Sequence, residues 1–376
     1  MSVANAAIST TKAVFCTQKG GPEIRDLGQA AAQAPDLGED EVLIRNVAVA
    51  SNPKDWKVAR WGMFEGIEGN DVAGTIEAVG SKVTRFSEGD RVAAFTRVAT
   101  HDKYGAYQAR SVAPACTTWH IQTNTTYEQA AALNLAFLTA AVGLYVTLGL
   151  PEPQDNSQPL PGAQKQGVIV WGAGSTLGDY AVQLAKKSGL RVIAVAGNSA
   201  FYVQSLGADA VVDYRSKDAV DQIVKAARSL DGVSWKCVLD AVSENGSIES
   251  SVEVMDQLGG GKVITTLASQ MEEKRKDTVE RYSVGSAYGA NGHKSERWNQ
   301  LVAEWVDRGT FKVHPIKVMP NGLASVPEGI KLLEEGKVHP IKVMPNGLAS
   351  VPEGMKLLEE GKVSGHKLVF KHLSDP

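Results

Sequence analysis

Cysteine is scarce: Cys16, Cys116 and Cys237 are the only three in 376 residues. They lie far apart and form no C-x-x-C pair, so neither a disulfide framework nor a cysteine zinc lobe is indicated, and a reducing compartment fits. No run of Lys or Arg is long enough to suggest an anionic membrane surface, and the formal charge of -3 supplies no basic field for nucleic acid. The first residues, MSVANAAISTTKAVF, lack the basic start and continuous apolar core of a secretory signal, and no lipidation motif follows, so the expected location is cytoplasmic. One stretch without charge, 130–150, reaches the length of a membrane span. Asn134, Thr139 and Gly143 interrupt it and no basic or Trp anchors flank it, so a buried helix is expected instead. With 43% hydrophobic residues the chain can bury a large core, and small-molecule chemistry is the class left open.

Two patterns divide the chain. From Lys12 to Phe95 short alternating strands are broken by turns, among them Val42 to Val49, Gly74 to Val79 and Arg91 to Phe95, which reads as a β-rich barrel. From Gly167 apolar strands at Val168 to Trp171, Arg191 to Val195, Ala210 to Val212, Lys236 to Leu239 and Lys262 to Thr265 alternate with helical stretches, the pattern of βαβ units on a parallel sheet. The expected fold is therefore α/β, a doubly wound Rossmann sheet beside a β-rich domain. Residues 151–162 hold four prolines and read as an exposed loop.

The C-terminal quarter carries a direct tandem repeat. Residues 313–337 recur as 338–362, differing only at Ile330 against Met355. Each copy reads as a strand (Ile316 to Met319 in the first), an Asn-Gly turn, a Ser325-x-x-Glu328 capping box with Pro327 in the first helical turn, a helix, and a glycine stop at Gly336. Two near-identical copies are too few for a solenoid. One copy is expected in the fold and the other as an addition to it.

The strongest motif is the strand Val168 to Trp171 running into Gly172-Ala173-Gly174-Ser175-Thr176-Leu177-Gly178 and then a helix. Glycines let backbone approach a pyrophosphate, and the helix start offers free N–H groups and its positive dipole end. An NAD-preferring site would place an acid after the next strand. Here Ala196-Gly197-Asn198-Ser199 stand there, leaving room for a 2′-phosphate, so NADP(H) is the expected cofactor. No cation adjoins directly; Arg215, after Tyr214, is the nearest by sequence. The histidines single out no metal or catalytic site.

These segments, with Asn52-Pro53-Lys54-Asp55-Trp56-Lys57, Gly69-Asn70-Asp71-Val72-Ala73-Gly74, Gly89-Asp90-Arg91-Val92, Ser205 to Asp209 and Val363 to Val369, resemble the medium-chain dehydrogenase/reductase superfamily. Within it the likeness is to the zinc-independent quinone oxidoreductase-like branch, including fungal trans-acting enoyl reductases that serve polyketide synthases. The resemblance implies a GroES-like catalytic domain (1–135 and 300–376, containing the repeat) around a Rossmann domain (136–299). It also implies NADPH as hydride donor, and a small-molecule or acyl-thioester electrophile, an activated alkene or a quinone, as acceptor. Zinc-dependent members place a His-Glu pair where Asn70-Asp71 stands, and an amide is a poor zinc ligand, so no metal is expected. By resemblance Asn52, Pro53, Lys54 and Asp55 line the nicotinamide side, Gly172, Gly174, Ser175, Thr176, Leu177 and Gly178 meet the phosphates, Ala196, Gly197, Asn198 and Ser199 the adenosine ribose, and Tyr214 the adenine. Leu267 and Ala268 lie near the nicotinamide, with Val363 and Ser364 closing the cleft. Lys54 and Lys57 are candidate stabilisers of a developing enolate or else surface lysines. Thr139 is the candidate for orienting cofactor or substrate, or else a helix residue bonded to its own backbone. Tyrosine donors of some quinone reductases are missing, which leaves water as the proton source. The superfamily is often dimeric, but nothing in the sequence marks an interface for a homodimer. The rival function is a non-catalytic NADP(H)-binding sensor or a partner subunit of a larger synthase.

Overall fold

A computed structural model describes residues 12–28, 33–154, 160–267, 278–319, 322–335 and 367–371. The chain forms two compact units. The first takes the chain up to Leu135, the stretch from Tyr288 and the returning strand Lys367–Lys371, and the second is Ala136–Ala287.

In the first unit, strand Glu41–Ala50 is the spine. It is buried along almost its whole length, as its run of Val, Leu, Ile and Ala requires. It pairs antiparallel with Asp71–Val79, Arg110–Pro114 and Lys367–Lys371. The sheet continues through Arg91–Phe95 to Thr118–His120 on one side and from Lys367–Lys371 to Ile316–Met319 on the other. A smaller sheet joins Gly21–Asp26, Lys12–Thr17 and Gly66–Ile67. Register shifts between Leu43 and Ile44 and between Asn46 and Ala48 bend the spine, and the Asn46 carboxamide there donates to the Gln108 carbonyl at 2.9 Å and to Ser111 Oγ at 2.7 Å. Val42, Ile44, Val49, Val72, Ile76, Val92, Tyr107 and Phe370 meet in one apolar core, an arrangement that matches the β-rich barrel reading.

The first repeat copy belongs to this unit. Its strand Ile316–Met319 runs parallel to Lys367–Lys371, and Met319, Leu323, Val326 and Ile330 enter the core. Its helix spans Val326–Glu334 with Pro327 in the first turn, but Ser325 makes no side-chain cap. The expected capping box is therefore corrected. The short 3-10 turn Gly322–Ser325 leads straight into the helix, so Ser325 already has helical backbone angles, and a capping serine needs extended ones. Gly336 and the second copy lie outside the described residues, as does part of the 151–162 loop.

The second unit is a six-stranded sheet, all parallel, in the order Ala210–Val212, Arg191–Val195, Gln166–Trp171, Ser234–Asp240, Gly261–Thr265, Val279–Ser283. Numbered along the chain this is 3-2-1-4-5-6, the doubly wound order. Ile169, Ile193, Val238 and Val263 pack with Ile223, Val224, Val254 and Met255 from the covering helices. The order reverses between Gln166–Trp171 and Ser234–Asp240, which makes the carboxyl ends at Trp171 and Asp240 the binding edge.

The apolar stretch that matched a membrane span is a helix, Tyr127–Thr147, and 78% of its most apolar window is buried inside the protein. It opens on a capping box between Thr126 and Gln129. Asn134 accepts a hydrogen bond from Trp119 Nε1 at 2.8 Å and donates to the Val72 carbonyl at 3.2 Å. The polar residues that interrupt the apolar run thus include an anchor of this helix to the barrel, and Val142–Thr147 continues it as a π turn.

Candidate cofactor and active site

Strand Gln166–Trp171 ends in a turn that only glycine fits. Gly172 has φ of +70°, and a Cβ there would overlap Val242 from the neighbouring strand's loop. A Cβ on Gly178 would overlap the Gly172 carbonyl and Ala173 Cα. These two positions therefore bring the helix Thr176–Lys187 close under the turn. Ser175 caps that helix, accepting from the Gly178 N–H at 3.1 Å. The remaining N–H groups of the first turn lie outside the helical ladder and face the binding edge with the positive end of the helix dipole. This cradle fits a diphosphate.

The next strand delivers Ala196 to Ser199 to the same edge. Gly197 lies against the Tyr214 ring, where a Cβ would crowd it. Arg215 donates to Asn198 Oδ1 at 2.5 Å and makes an ion pair with Asp213 at 2.6 Å. The cation found by sequence position is thus folded back onto the loop that lacks an acid. Leu267 follows strand Gly261–Thr265 at this edge, while Ala268 lies outside the described residues, as do Val363 and Ser364.

The switch point holds a network that sequence reasoning missed. Asp240, wholly buried, accepts from Ser247 Oγ at 2.6 Å and from the Ser243 and Val242 N–H groups at 2.9 and 3.0 Å. Ser243 Oγ accepts the Thr266 N–H at 2.8 Å. Burial pushes the Asp240 pKa up, with Ser247 and the backbone donors opposing it. Together these bonds tie the loop after Asp240 to the loop that bears Leu267. Their sequence signal was an Asp ending a strand with serines three and seven residues on.

In the first unit the structure brings Asn52, Lys54 and Asp55 into one buried polar cluster with Glu68, Asp71, Tyr107 and Lys367. Lys54 Nζ lies 2.6 Å from Glu68 and 3.1 Å from Asp55. Burial works against its ammonium, but the two carboxylates outweigh it and hold its pKa above the usual lysine value. Burial raises Glu68 in turn, partly offset by Lys54. We take the lysine as the charged partner because two acids face it. Asp55 also accepts from Tyr107 Oη at 2.6 Å and from the Asn52 N–H at 2.7 Å. Asp71, wholly buried, accepts from Lys367 Nζ at 2.5 Å, Asn52 Nδ2 at 2.8 Å and the Leu135 N–H at 2.7 Å. Lys57 is the second candidate lysine. It is 5% exposed and lies over the Trp56 and Trp61 rings at 5.4 and 6.0 Å, so it is not the surface lysine of the alternative reading. Pro53 is exposed. Thr139, in the second unit, sits half-buried on the helix Asn134–Ala141.

Asn70 uses its amide nitrogen on Thr96 Oγ1 and the Arg97 carbonyl, both at 2.9 Å. Among the described residues no group of three or more His, Cys, Asp or Glu side chains is placed to hold a metal ion. The donors at this position do not fit zinc.

A β-barrel unit with a buried polar cluster, joined to a nucleotide-binding parallel sheet, defines a dehydrogenase or reductase architecture. Residues 38–134 match the model of the alcohol dehydrogenase GroES-like domain and 176–308 that of the zinc-binding dehydrogenase family. The chain is 33% identical over 324 residues to a trans-enoyl reductase, fsr4, of Gibberella fujikuroi, covering 84% of this chain and 92% of the relative. The chain belongs to the medium-chain dehydrogenase/reductase superfamily. Among solved structures, the quinone oxidoreductase of Pseudomonas syringae shares the fold at a TM-score of 0.68, with 24% identity and coverage of 86% of this chain and 96% of that one. The Escherichia coli quinone oxidoreductase, solved with NADPH, does so at 0.64, with 19% identity and 95% and 99% coverage.

Proposed function

We propose that the chain catalyses NADPH-dependent reduction of an activated carbon-carbon double bond, or of a quinone, without zinc. The observation that carries this reading is the cradle at Gly172 and Gly178, where two positions that exclude a Cβ set a helix N-terminus at the switch point of the sheet. Likeness to a trans-enoyl reductase and to a quinone oxidoreductase that binds NADPH supports the substrate and cofactor class.

NADPH, when bound, supplies the hydride for the electron-poor carbon of the acceptor. The N–H groups of Gly174, Thr176 and Leu177 would hold the diphosphate, while Ser175, its own N–H donating to the Gly172 carbonyl at 2.9 Å and its hydroxyl accepting from the Gly178 N–H, keeps the helix start in shape for it. Asn198, Ser199 and Arg215 receive the 2′-phosphate, with Arg215 released from part of its bond to Asp213, and Tyr214 covers the adenine. Lys54, with two of its three N–H groups committed to Glu68 and Asp55, keeps one donor for oxygen as negative charge develops there. Its charge is largely compensated, so it acts as an oriented donor more than as a free cation. Water delivers the proton to the α-carbon. Zinc has no part in this scheme, because Asn70 and Asp71 are engaged by Thr96, Arg97, Lys367 and Asn52.

That compensation of Lys54 is also what favours the second reading, a protein that binds NADP(H) without turning it over, as a sensor or a partner of a synthase. The two separate in one experiment. NADPH and NADH oxidation is followed with a panel of enones, enoyl thioesters and quinones. Consumption of NADPH in preference to NADH establishes the reductase, and tight NADPH binding with no turnover on any acceptor establishes the binder. A carrier-bound acceptor would show as turnover of acyl-carrier thioesters alone.

A further inference from the structure

The Asn52 carboxamide has two chemically different ends, and the structure fixes which faces which. Lys367 Nζ, which only donates, lies 3.1 Å from Asn52 Oδ1. The Asp71 carboxylate, which accepts in its ion pair with Lys367, lies 2.8 Å from Asn52 Nδ2. Turning the amide over would point N–H groups at the ammonium and oxygen at the carboxylate, so charge sets its orientation. All three side chains are buried, at 5%, 0% and 3% exposure for Asn52, Asp71 and Lys367. The backbone of Asn52 is held as well, its N–H on Asp55 Oδ2 and its carbonyl accepting the Asp55 N–H at 3.0 Å. One polar group is left over: Nδ2 carries two hydrogens, and only one of them has a partner among the described residues, Asp71.

We propose that Asp71 and Lys367 lock the Asn52 carboxamide so that its second Nδ2–H donates to a carbonyl oxygen during the reaction, with Lys367 as a positioning residue that acts through Asn52. This rests on the reductase reading and specifies which atom meets oxygen. The ammonium beside Oδ1 polarises the amide and makes its N–H a better donor. The carbonyl belongs either to the reducible acceptor or to the nicotinamide carboxamide. Both present the same acceptor chemistry, and the two differ in what binding alone reveals.

The test is a double-mutant cycle on the full chain with crotonyl-N-acetylcysteamine as acceptor, measuring kcat, KM and calorimetric Kd for NADPH and for 2′,5′-ADP. Wild-type turnover and NADPH binding come first. If both are absent the reductase reading falls and the proposal with it, whereas the variants judge the proposal alone. Asn52→Ala is expected to lower kcat by about 100-fold, as loss of a single oriented donor does. Lys367→Met is expected to cost a similar factor, Lys367→Met with Asn52→Ala no more than Asn52→Ala alone, and Lys367→Arg to restore most of the rate. Should Lys367→Met fail to fold with Asp71 left unpaired, Asp71→Asn with Lys367→Met removes both charges and enters the same cycle. An unchanged NADPH Kd assigns the oxygen to the acceptor. A rise of about tenfold in NADPH Kd, roughly one lost hydrogen bond, with 2′,5′-ADP unaffected assigns it to the nicotinamide. Multiplying losses in the double variant, or an Asn52→Ala protein with wild-type kcat, KM and Kd, overturns the proposal.

Discussion

Asp209 shows how a single carboxylate ties the Rossmann unit together. It lies 2.7 Å from Lys186 Nζ, 2.6 Å from Arg191 Nη1 and 2.8 Å from the Val192 N–H, joining a helix to the start of the adjoining strand. Burial works against the carboxylate, but Lys186, Val192 and Arg191 outweigh it and hold its pKa below the usual aspartate value. A depressed acid stabilises the fold above its unfolded pKa and loses that contribution as pH falls through the folded one. Asp209→Asn is therefore expected to cost about 2 kcal/mol at neutral pH, and the gap to close below about pH 4. Urea unfolding at pH 7 and pH 3 measures both, and a gap that does not change with pH contradicts the assignment. Gly178→Ala tests the cradle: its methyl would meet the Gly172 carbonyl, so the variant should lose NADPH binding and about 1–3 kcal/mol of stability from overpacking. An alanine variant that binds normally would show the turn to be adaptable. The turn at Gly172 was legible because its geometry depends on near neighbours in the chain. Lys367 was not, since its partner Asp71 is 296 positions away and no local pattern announces a buried lysine. The burial of Lys57 was not legible either: the sequence left it as an enolate stabiliser or a surface lysine, whereas it is buried and lies over the Trp56 and Trp61 rings.

At the scale of elements, the repeat provides the sharpest test. The slot beside Lys367–Lys371 takes the strand Ile316–Met319 and a helix that buries Val326 and Ile330. The sequence of the second copy supplies every residue this slot uses except Ile330, for which it has Met355. Removal of residues 338–362 is expected to preserve the melting temperature or raise it, since the first copy already fills the slot. Removal of 313–337 should also give a folded protein, weaker by less than about 1.5 kcal/mol because Ile to Met nearly conserves volume. Thermal melts of both deletions decide this, and a marked loss on deleting 338–362 would show that segment to be part of the core. Strand and helix were readable in the repeat from period and proline placement. The cap was not, because whether Ser325 is extended or helical depends on the preceding 3-10 turn, which tertiary packing of Leu323 sets.

For the whole molecule, the alternation of apolar strands and helices after Gly167 was enough to foresee a parallel doubly wound sheet, because strands buried on both faces carry continuous Val, Ile and Ala runs. The barrel half was legible as short strands but not in its pairing. The return of Lys367–Lys371 to the middle of the sheet, between Glu41–Ala50 and Ile316–Met319, is a long-range contact with no local signature. The same return brings Lys367 to Asp71, so the buried ion pair that sequence left hidden is built by topology. The most direct test is a calorimetric titration of NADPH into protein dialysed against a chelator, repeated after adding zinc. One site per chain, tighter for NADPH than for NADH and unchanged by zinc, is the predicted result. No binding, or binding and turnover that appear only once zinc is restored, would contradict it.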